Sequence, residues 1–236
     1  IAFLDSDDVW LPGKLTMQVA HLLREPAIGI VYGRWGVWRP DAEGVFHPPE
    51  APEPDTGRAP LELVADGSGW LYNRLLFTSM LHTITVMARR SLIDEVGPFD
   101  PELKRGQDYD YWLRASRLTQ IHQLDRVMAL YRLHGDGAVT TWPHVNYEEK
   151  VVKSALERWG LQGPDGSTTD PKAIRQRLAD TCFAFGYHHY WGGDPRLALE
   201  TFRHALHYRP LHGASWRYLA LSAAKVSCGA FPPQRA

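Results

Sequence analysis

Apolar and polar positions follow two regimes along the chain. From residue 1 to about residue 142, short β-branched or aromatic runs are interleaved with amphipathic stretches. From Tyr147 onward nearly every stretch repeats at helical spacing. Ile1 to Leu4 reads as a short buried strand. Pro12 introduces a helix at about Gly13, with Leu15, Val19, Leu22 and Leu23 as its expected apolar face. The run IGIVYGRWGVW, Ile28 to Trp38, predicts a strand in which Gly33 and Gly36 mark bulges or a close backbone approach. The Pro-, Glu- and Gly-rich stretch from Arg39 to Pro60 reads as a surface loop, either an element on the acceptor side of a cleft or a disordered surface insertion. Helical pattern returns at Leu61 to Val64 and Trp70 to Met80. A strand follows at Thr83 to Arg89, then a short helix in SLIDEVG closed by Gly97. GQDYDYWLRASR predicts a helix packed through Tyr111, Leu113 and Ala115, and Val127 to His134 a last strand. Mixed elements followed by helices alone, broken at Gly160 to Pro171, predict an α/β domain over 1–142 with a helical appendage.

Composition narrows the classes. With 236 residues, 44% of them apolar and 22% charged, the chain has material for a substantial core and is not a disordered sequence. A net charge of -1 carries no nucleic-acid footprint. Cys182 and Cys228 do not make a disulfide framework, and no apolar run approaches the roughly 20 residues of a membrane span. A cytoplasmic protein is expected, peripheral to the inner membrane face if its acceptor is lipid-linked.

The candidate chemistry begins at IAFLDSDDVW, where an apolar run ends in Asp5, Asp7 and Asp8. Carboxylates gathered at a strand end are costly to leave unpaired, and hard oxygen ligands completed by phosphates suit Mg²⁺ or Mn²⁺. A bare D-x-D equally describes a solvated acidic turn in which Asp7 or Asp8 caps the next helix. It also fits a haloacid-dehalogenase-type phosphatase, with Asp5 as nucleophile and Asp7 as acid, although no downstream segment offers that chemistry its Lys and acidic pair.

Three ordered segments separate these readings. FLDSDDVWLPGKLTMQ, GPFDPELKRGQDYDYWLRAS and LYRLHGDGAVT together resemble the motifs of family 2, GT-A-type glycosyltransferases over about 140 residues. The resemblance implies a Rossmann-like domain and an inverting transfer from a nucleotide-diphospho sugar to an acceptor hydroxyl on a glycan or lipid-linked acceptor. It further implies that Asp7 contacts the Mg²⁺ or Mn²⁺ directly and that Asp5 does so through water or holds the ribose. Asp108 becomes the catalytic base, with Gln107 on the acceptor side, Asp100 either there or capping the following turn, and Trp112 either a core residue or a platform on the acceptor side. Arg132 lies over the diphosphate, and His134 joins the metal. The departure from the pattern is Gln107, where Glu is usual, which alters acceptor orientation without removing the base. Asp110 and Arg114, four apart, are expected to pair along their helix. Domains of this family begin with a strand, a helix and a second strand that hold the base, ahead of the D-x-D strand. The chain opens at the D-x-D strand, so a fragment lacking the base pocket is expected, inactive or poorly folded alone.

After a helical linker over 143–178, residues 179–228 resemble tetratricopeptide repeats. Gly186 takes a close-packing position, Ala198, Phe202 and Ala205 the second helix, and Pro210 its end. The resemblance implies a protein partner for this tail, or a hairpin that packs on the catalytic domain. His188, His189, His204 and His207 lack a Cys pair and read as surface residues, not metal ligands. The competing function class is a non-catalytic interaction protein, a truncated transferase kept for its tail.

Overall fold

The computed structural model describes residues 1–47, 61–133 and 143–229. These form two compact units: residues 1–133 with 162–168, and residues 143–161 with 169–229.

The first unit is mixed α/β. In chain order it holds β1 (Val9–Trp10), α1 (Lys14–Arg24), β2 (Ile28–Trp38), α2 (Tyr72–Leu75), β3 (Met87–Ala88), α3 (Arg90–Val96), α4 (Gln107–Ala115) and β4 (Gln120–Arg132). The sheet order is β1-β4-β2-β3, with β2 and β4 parallel and both outer strands antiparallel to their neighbours. Residues 28–33 of β2 are all buried, as a strand covered on both faces requires. Met17, Leu22, Val31, Met87, Leu124 and Met128 build the core beneath it. The β2–β4 register shifts around Gly33 and Arg34, and a Cβ at Gly33 would stand 2.6 Å from the Met128 sulfur. The expected bulge at Gly33 is therefore present, and only glycine fits it.

Several elements differ from expectation. Ile1 to Leu4 is not a buried strand: it contributes one bridge, Ala2 to Met87, and leaves Ile1 and Leu4 exposed. On α1 the buried stripe is Lys14, Met17, Gln18, His21 and Leu22, while Leu15, Val19 and Leu23 face out. The helix therefore turns a largely polar stripe inward, because Gln18 donates to the carbonyls of Val31 and Thr85 (3.2 and 2.7 Å) and accepts from Lys14 Nζ (2.7 Å). Leu61 to Val64 makes a bridge to β4 and no helix, and Trp70 to Met80 condenses to the four residues of α2. Thr83–Thr85 is a 3-10 turn, which leaves only Met87 and Ala88 in β3. Strand β4 starts seven residues before the expected Val127. The α3 helix does end at Gly97, whose φ of 80° closes it.

The second unit contains α5 (Tyr147–Trp159), α6 (Pro171–Gly192), α7 (Pro195–Tyr208) and α8 (Gly213–Ser227). Asn146, Asp170 and Asp194 cap the first three by accepting backbone N–H bonds, and Pro171 and Pro195 occupy first-turn positions. Ala198, Phe202 and Ala205 are fully buried, and a Cβ at Gly186 would lie 3.0 Å from the Phe202 ring. The absence of that Cβ lets α6 and α7 approach closely. Among the described residues no helix is long and apolar enough to cross a membrane.

Candidate functional site

The acidic segment folds as a tight turn, with the Asp8 N–H donating to the Asp5 carbonyl at 3.2 Å. The residues that follow fasten it. The Trp10 indole donates to the carbonyls of Ile84 (2.9 Å) and Phe3 (3.2 Å). The Lys14 ammonium sits 4.4 Å above the Trp10 ring, and burial lowers its pKa to about 8. With Gln18 these side chains tie the turn, α1, β2 and the 83–85 segment into one polar spine. The conspicuous Trp and Lys of FLDSDDVWLPGKLTMQ are thus positioning groups.

Within the turn Asp5 is exposed, Asp7 half-buried and Asp8 buried. Asp8 Oδ1 accepts the Arg132 backbone N–H at 2.8 Å, which pins the turn to the end of β4. Its other oxygen, Oδ2, is buried with no hydrogen-bond partner. Burial pushes the Asp8 carboxyl up. The Arg132 N–H works against that, the charges of Asp7 and Asp5 add to it, and His82 opposes it. An orphaned carboxylate oxygen flanked by two further carboxylates is a donor set of hard oxygens, and it fits a divalent cation.

Asp108 opens α4 behind Gly106, whose φ of 71° turns the chain into the helix. One Asp108 oxygen accepts the Tyr109 N–H (2.8 Å), and the other lies 3.5 Å from the Thr83 hydroxyl. Beside Thr83, His82 has a buried Nδ1 without a partner. Burial lowers its pKa, while Asp8, Asp108 and Asp5 all raise it. Carboxylates some hundred positions apart in the chain thus converge on one imidazole. Sequence reading missed both His82 and Thr83, because nothing in LHTITV marks them until the fold is known.

Of the other expected site residues, Arg132 meets the acidic turn through its backbone, and Asp100, Gln107 and Trp112 stand elsewhere. Gln107 is exposed on the first turn of α4. Asp100 caps its own turn, accepting the Glu102 N–H at 2.9 Å. Trp112 is fully buried, edge-on to Phe3 and Tyr111, so it stands in the core and not at a surface an acceptor reaches. Asp110 and Arg114 pair at 2.8 Å, and Arg114 also ties to the Val96 and Pro98 carbonyls. The Arg132 guanidinium lies over Trp38 and Phe46, 4.4 and 4.9 Å from the ring centres, with its Nε buried and unpaired. His134 lies outside the described residues.

In the helical unit one expected surface histidine is not one. His189 is buried, with its Nε2 3.0 Å from the Pro143 carbonyl and its Nδ1 accepting the Asp194 N–H. His204 approaches buried Glu149 and Cys182, ligand-type atoms of the three lying within 4.8 Å of one another. The Glu149 oxygens already have neighbours in the Tyr208 hydroxyl (3.0 Å) and the His204 ring (3.4 Å).

No protein-family model matches the chain. Among curated proteins it is similar to the Escherichia coli UDP-Glc:alpha-D-GlcNAc-diphosphoundecaprenol beta-1,3-glucosyltransferase WfgD, at 32% identity over 114 residues. The match takes in 48% of this chain, which spans 36% of that enzyme's length.

Proposed function

We propose that the chain carries the catalytic edge of an inverting, GT-A-type glycosyltransferase that moves a sugar from a nucleotide-diphospho donor to an acceptor hydroxyl. The observation that carries this reading is that carboxylates distant in the chain share the 82–83 segment: Asp108 lies 3.5 Å from the Thr83 hydroxyl, and Asp8, Asp108 and Asp5 all act electrostatically on His82. Similarity to a glucosyltransferase supports the reaction class. That relative's name states a UDP-glucose donor and a diphosphoundecaprenol-linked acceptor, and we extend the corresponding chemistry here: a nucleoside-diphosphate donor and a lipid-linked glycan acceptor at the inner membrane face.

Asp7 and Asp5 would hold Mg²⁺ or Mn²⁺, with Asp8 fixing the turn and His134 as a further candidate ligand. When bound, the ion neutralises charge developing on the leaving diphosphate. Asp108 takes the proton from the attacking acceptor hydroxyl, and the Thr83 hydroxyl orients its carboxylate. Arg132 offers a cation toward the diphosphate. The helical unit is the candidate surface for a protein partner.

Thermal unfolding of the protein expressed from its complete reading frame, with Mn²⁺ and UDP, GDP or TDP, tests the donor site. Ligand at about 100 times its dissociation constant adds about 2.7 kcal/mol, and in a chain of this size each kcal/mol raises Tm by about 2–4 °C. A rise of several degrees that needs both metal and one nucleotide, and is lost in Asp7→Ala, is expected. A folded chain that responds to no pair overturns the reading.

A further inference from the structure

Beside the carboxylates stands an aromatic cluster that the transfer chemistry does not use. Trp35 on β2, Tyr131 on β4 and His82 from the loop between them pack as a wall. Trp35 and His82 lie 4.5 Å apart and tilted by 38°, and Tyr131 stands edge-on to both, at 6.2 Å from Trp35 and 5.5 Å from His82. In the parallel register Val37 pairs with Tyr131, and Trp35 and Val37 are two residues apart on one strand, so all three project from one face of the sheet. Trp35 remains 43% exposed and Tyr131 37% exposed. Core packing does not account for them: Tyr32, Tyr72, Tyr111 and Trp112 in the same unit are essentially inaccessible.

What would such a wall hold? A large aromatic face left open to solvent, with carboxylates at its rim, has two complementary requirements. It needs an apolar patch to lie flat against the ring and hydrogen-bond donors to meet the oxygens. A pyranose supplies both, with C–H bonds on its faces and hydroxyls around its edge. The rim here is acidic. Asp5, Asp8 and Asp108 all act electrostatically on His82, the inner member of the wall, and Asp108 contacts the neighbouring Thr83. A flat anionic or purely apolar partner would meet the wrong charge or leave the rim unpaired.

We propose that Trp35 and Tyr131, braced by His82, form the platform on which the acceptor pyranose stacks, with the attacking hydroxyl turned toward Asp108. This rests on the glycosyltransferase reading and adds the chemical class and seat of the acceptor. The buried, unpartnered His82 Nδ1 is the inner polar atom of this wall, and the tilted stack against Trp35 fixes the indole's angle.

Saturation-transfer NMR of the whole chain, with methyl α-N-acetylglucosaminide and methyl α-glucoside as probes, tests the platform. Mn²⁺–nucleotide thermal shifts are run on the same samples. Transfer concentrated on the ring protons of one glycoside is expected in the wild type. Trp35→Ala is expected to weaken that binding about threefold to tenfold, the range of a lost aromatic contact, and Trp35→Phe to retain most of it. The metal–nucleotide shift should be unchanged in both variants, which shows that they fold and that the donor site stands apart. Unaltered glycoside binding in Trp35→Ala overturns the proposal. So does a wild type that answers to metal and nucleotide but to neither glycoside, or a Trp35→Ala variant that loses only the nucleotide response. If wild type responds to neither ligand class, the transferase reading fails first and the platform with it.

Discussion

Glu149 in the helical unit and Asp8 in the sheet unit are both almost completely buried, neither with an arginine partner among the described residues of the kind Asp110 has in Arg114, and the two are treated in opposite ways. Glu149, 7% exposed in the helical unit, has the Tyr208 hydroxyl on one oxygen and the His204 ring near the other. Asp8, 8% exposed in the sheet unit, has a backbone N–H on one oxygen and nothing on the other. Similar burial with different satisfaction separates a structural node from a site. A carboxylate with a polar neighbour at each oxygen needs no ion to offset its burial. An orphaned one, repelled further by Asp5 and Asp7, stores an unfavourable energy that a cation would relieve.

The largest effect expected from this contrast lies in the helical unit. Glu149→Ala removes the acceptor of the Tyr208 hydroxyl and the neighbour of His204 and Cys182 at the start of α5. Leaving such donors without their charged acceptor costs about 2–3 kcal/mol, read as a lower denaturant midpoint at unchanged slope. Loss of the node should also lower amide protection in α5 and α7, while amides of β2 and β4 keep theirs. If Glu149→Ala were neutral, the cluster would not be a structural node and the contrast with Asp8 would collapse.

Asp8→Asn should act in the other direction. The Asn side-chain carbonyl can still accept the Arg132 N–H, and its amide removes a buried charge beside Asp5 and Asp7. A stability gain of order 1 kcal/mol is expected at pH 7. The sign follows from linkage. The folded pKa of Asp8 is raised, so the penalty is fully present above that folded value and fades as the pH falls and the native carboxyl takes up its proton. The gain of the variant should therefore shrink on acidification, and denaturant titrations at pH 7 and pH 4 check it. A variant less stable than wild type at both pH values would make Asp8 a structural group like Glu149.

The parts of this picture that sequence could supply were those written locally. Strand β2 has the expected limits because its first six residues are apolar, aromatic or small and prolines stand close to both ends, at Pro26 and Pro40. The acidic turn announces itself because its three carboxylates are neighbours in the chain. The face of α1 was illegible for the opposite reason: a helix that buries Lys14, Gln18 and His21 defeats a search for the apolar stripe, which finds Leu15, Val19 and Leu23 instead. The first half of β4, QIHQLDR, buries Ile121 and Leu124 between polar residues, and its pairing with β2 is long-range information. His82 is the clearest case. Its importance comes from three carboxylates that only the folded chain brings near it.

The smallest predicted effect concerns histidines that each unit holds buried or half-buried. In the sheet unit His21 Nε2 and His122 Nδ1 lie 2.9 Å apart, so one must donate and the other accept, and the pair is intact only while the accepting ring is neutral. Burial lowers both pKa values. His122 and Arg24 lower His21 further, while Glu25 opposes the shift on both rings. In the helical unit burial likewise lowers His189, with His144 and His188 adding to it and the Pro143 carbonyl and Asp194 opposing. Its Nδ1 accepts the N–H of Asp194, the cap of α7, so protonation there removes a bond at the start of that helix. Since the folded values lie below the ordinary 6.5, the unfolded chain binds protons first as the pH falls. This stability is fully present above about pH 6.5 and is lost progressively below it. Each site should lose about 1 kcal/mol or less between pH 7.5 and pH 5. Amide exchange at the two pH values separates them: His122→Gln should flatten the pH dependence in α1 and β4 alone, and His189→Gln that of the α6–α7 turn alone. Acid loosening that survives both substitutions would trace the pH dependence to groups other than these histidines, and Asp8 is not among them, since acid relieves the penalty of a carboxyl whose folded pKa is raised.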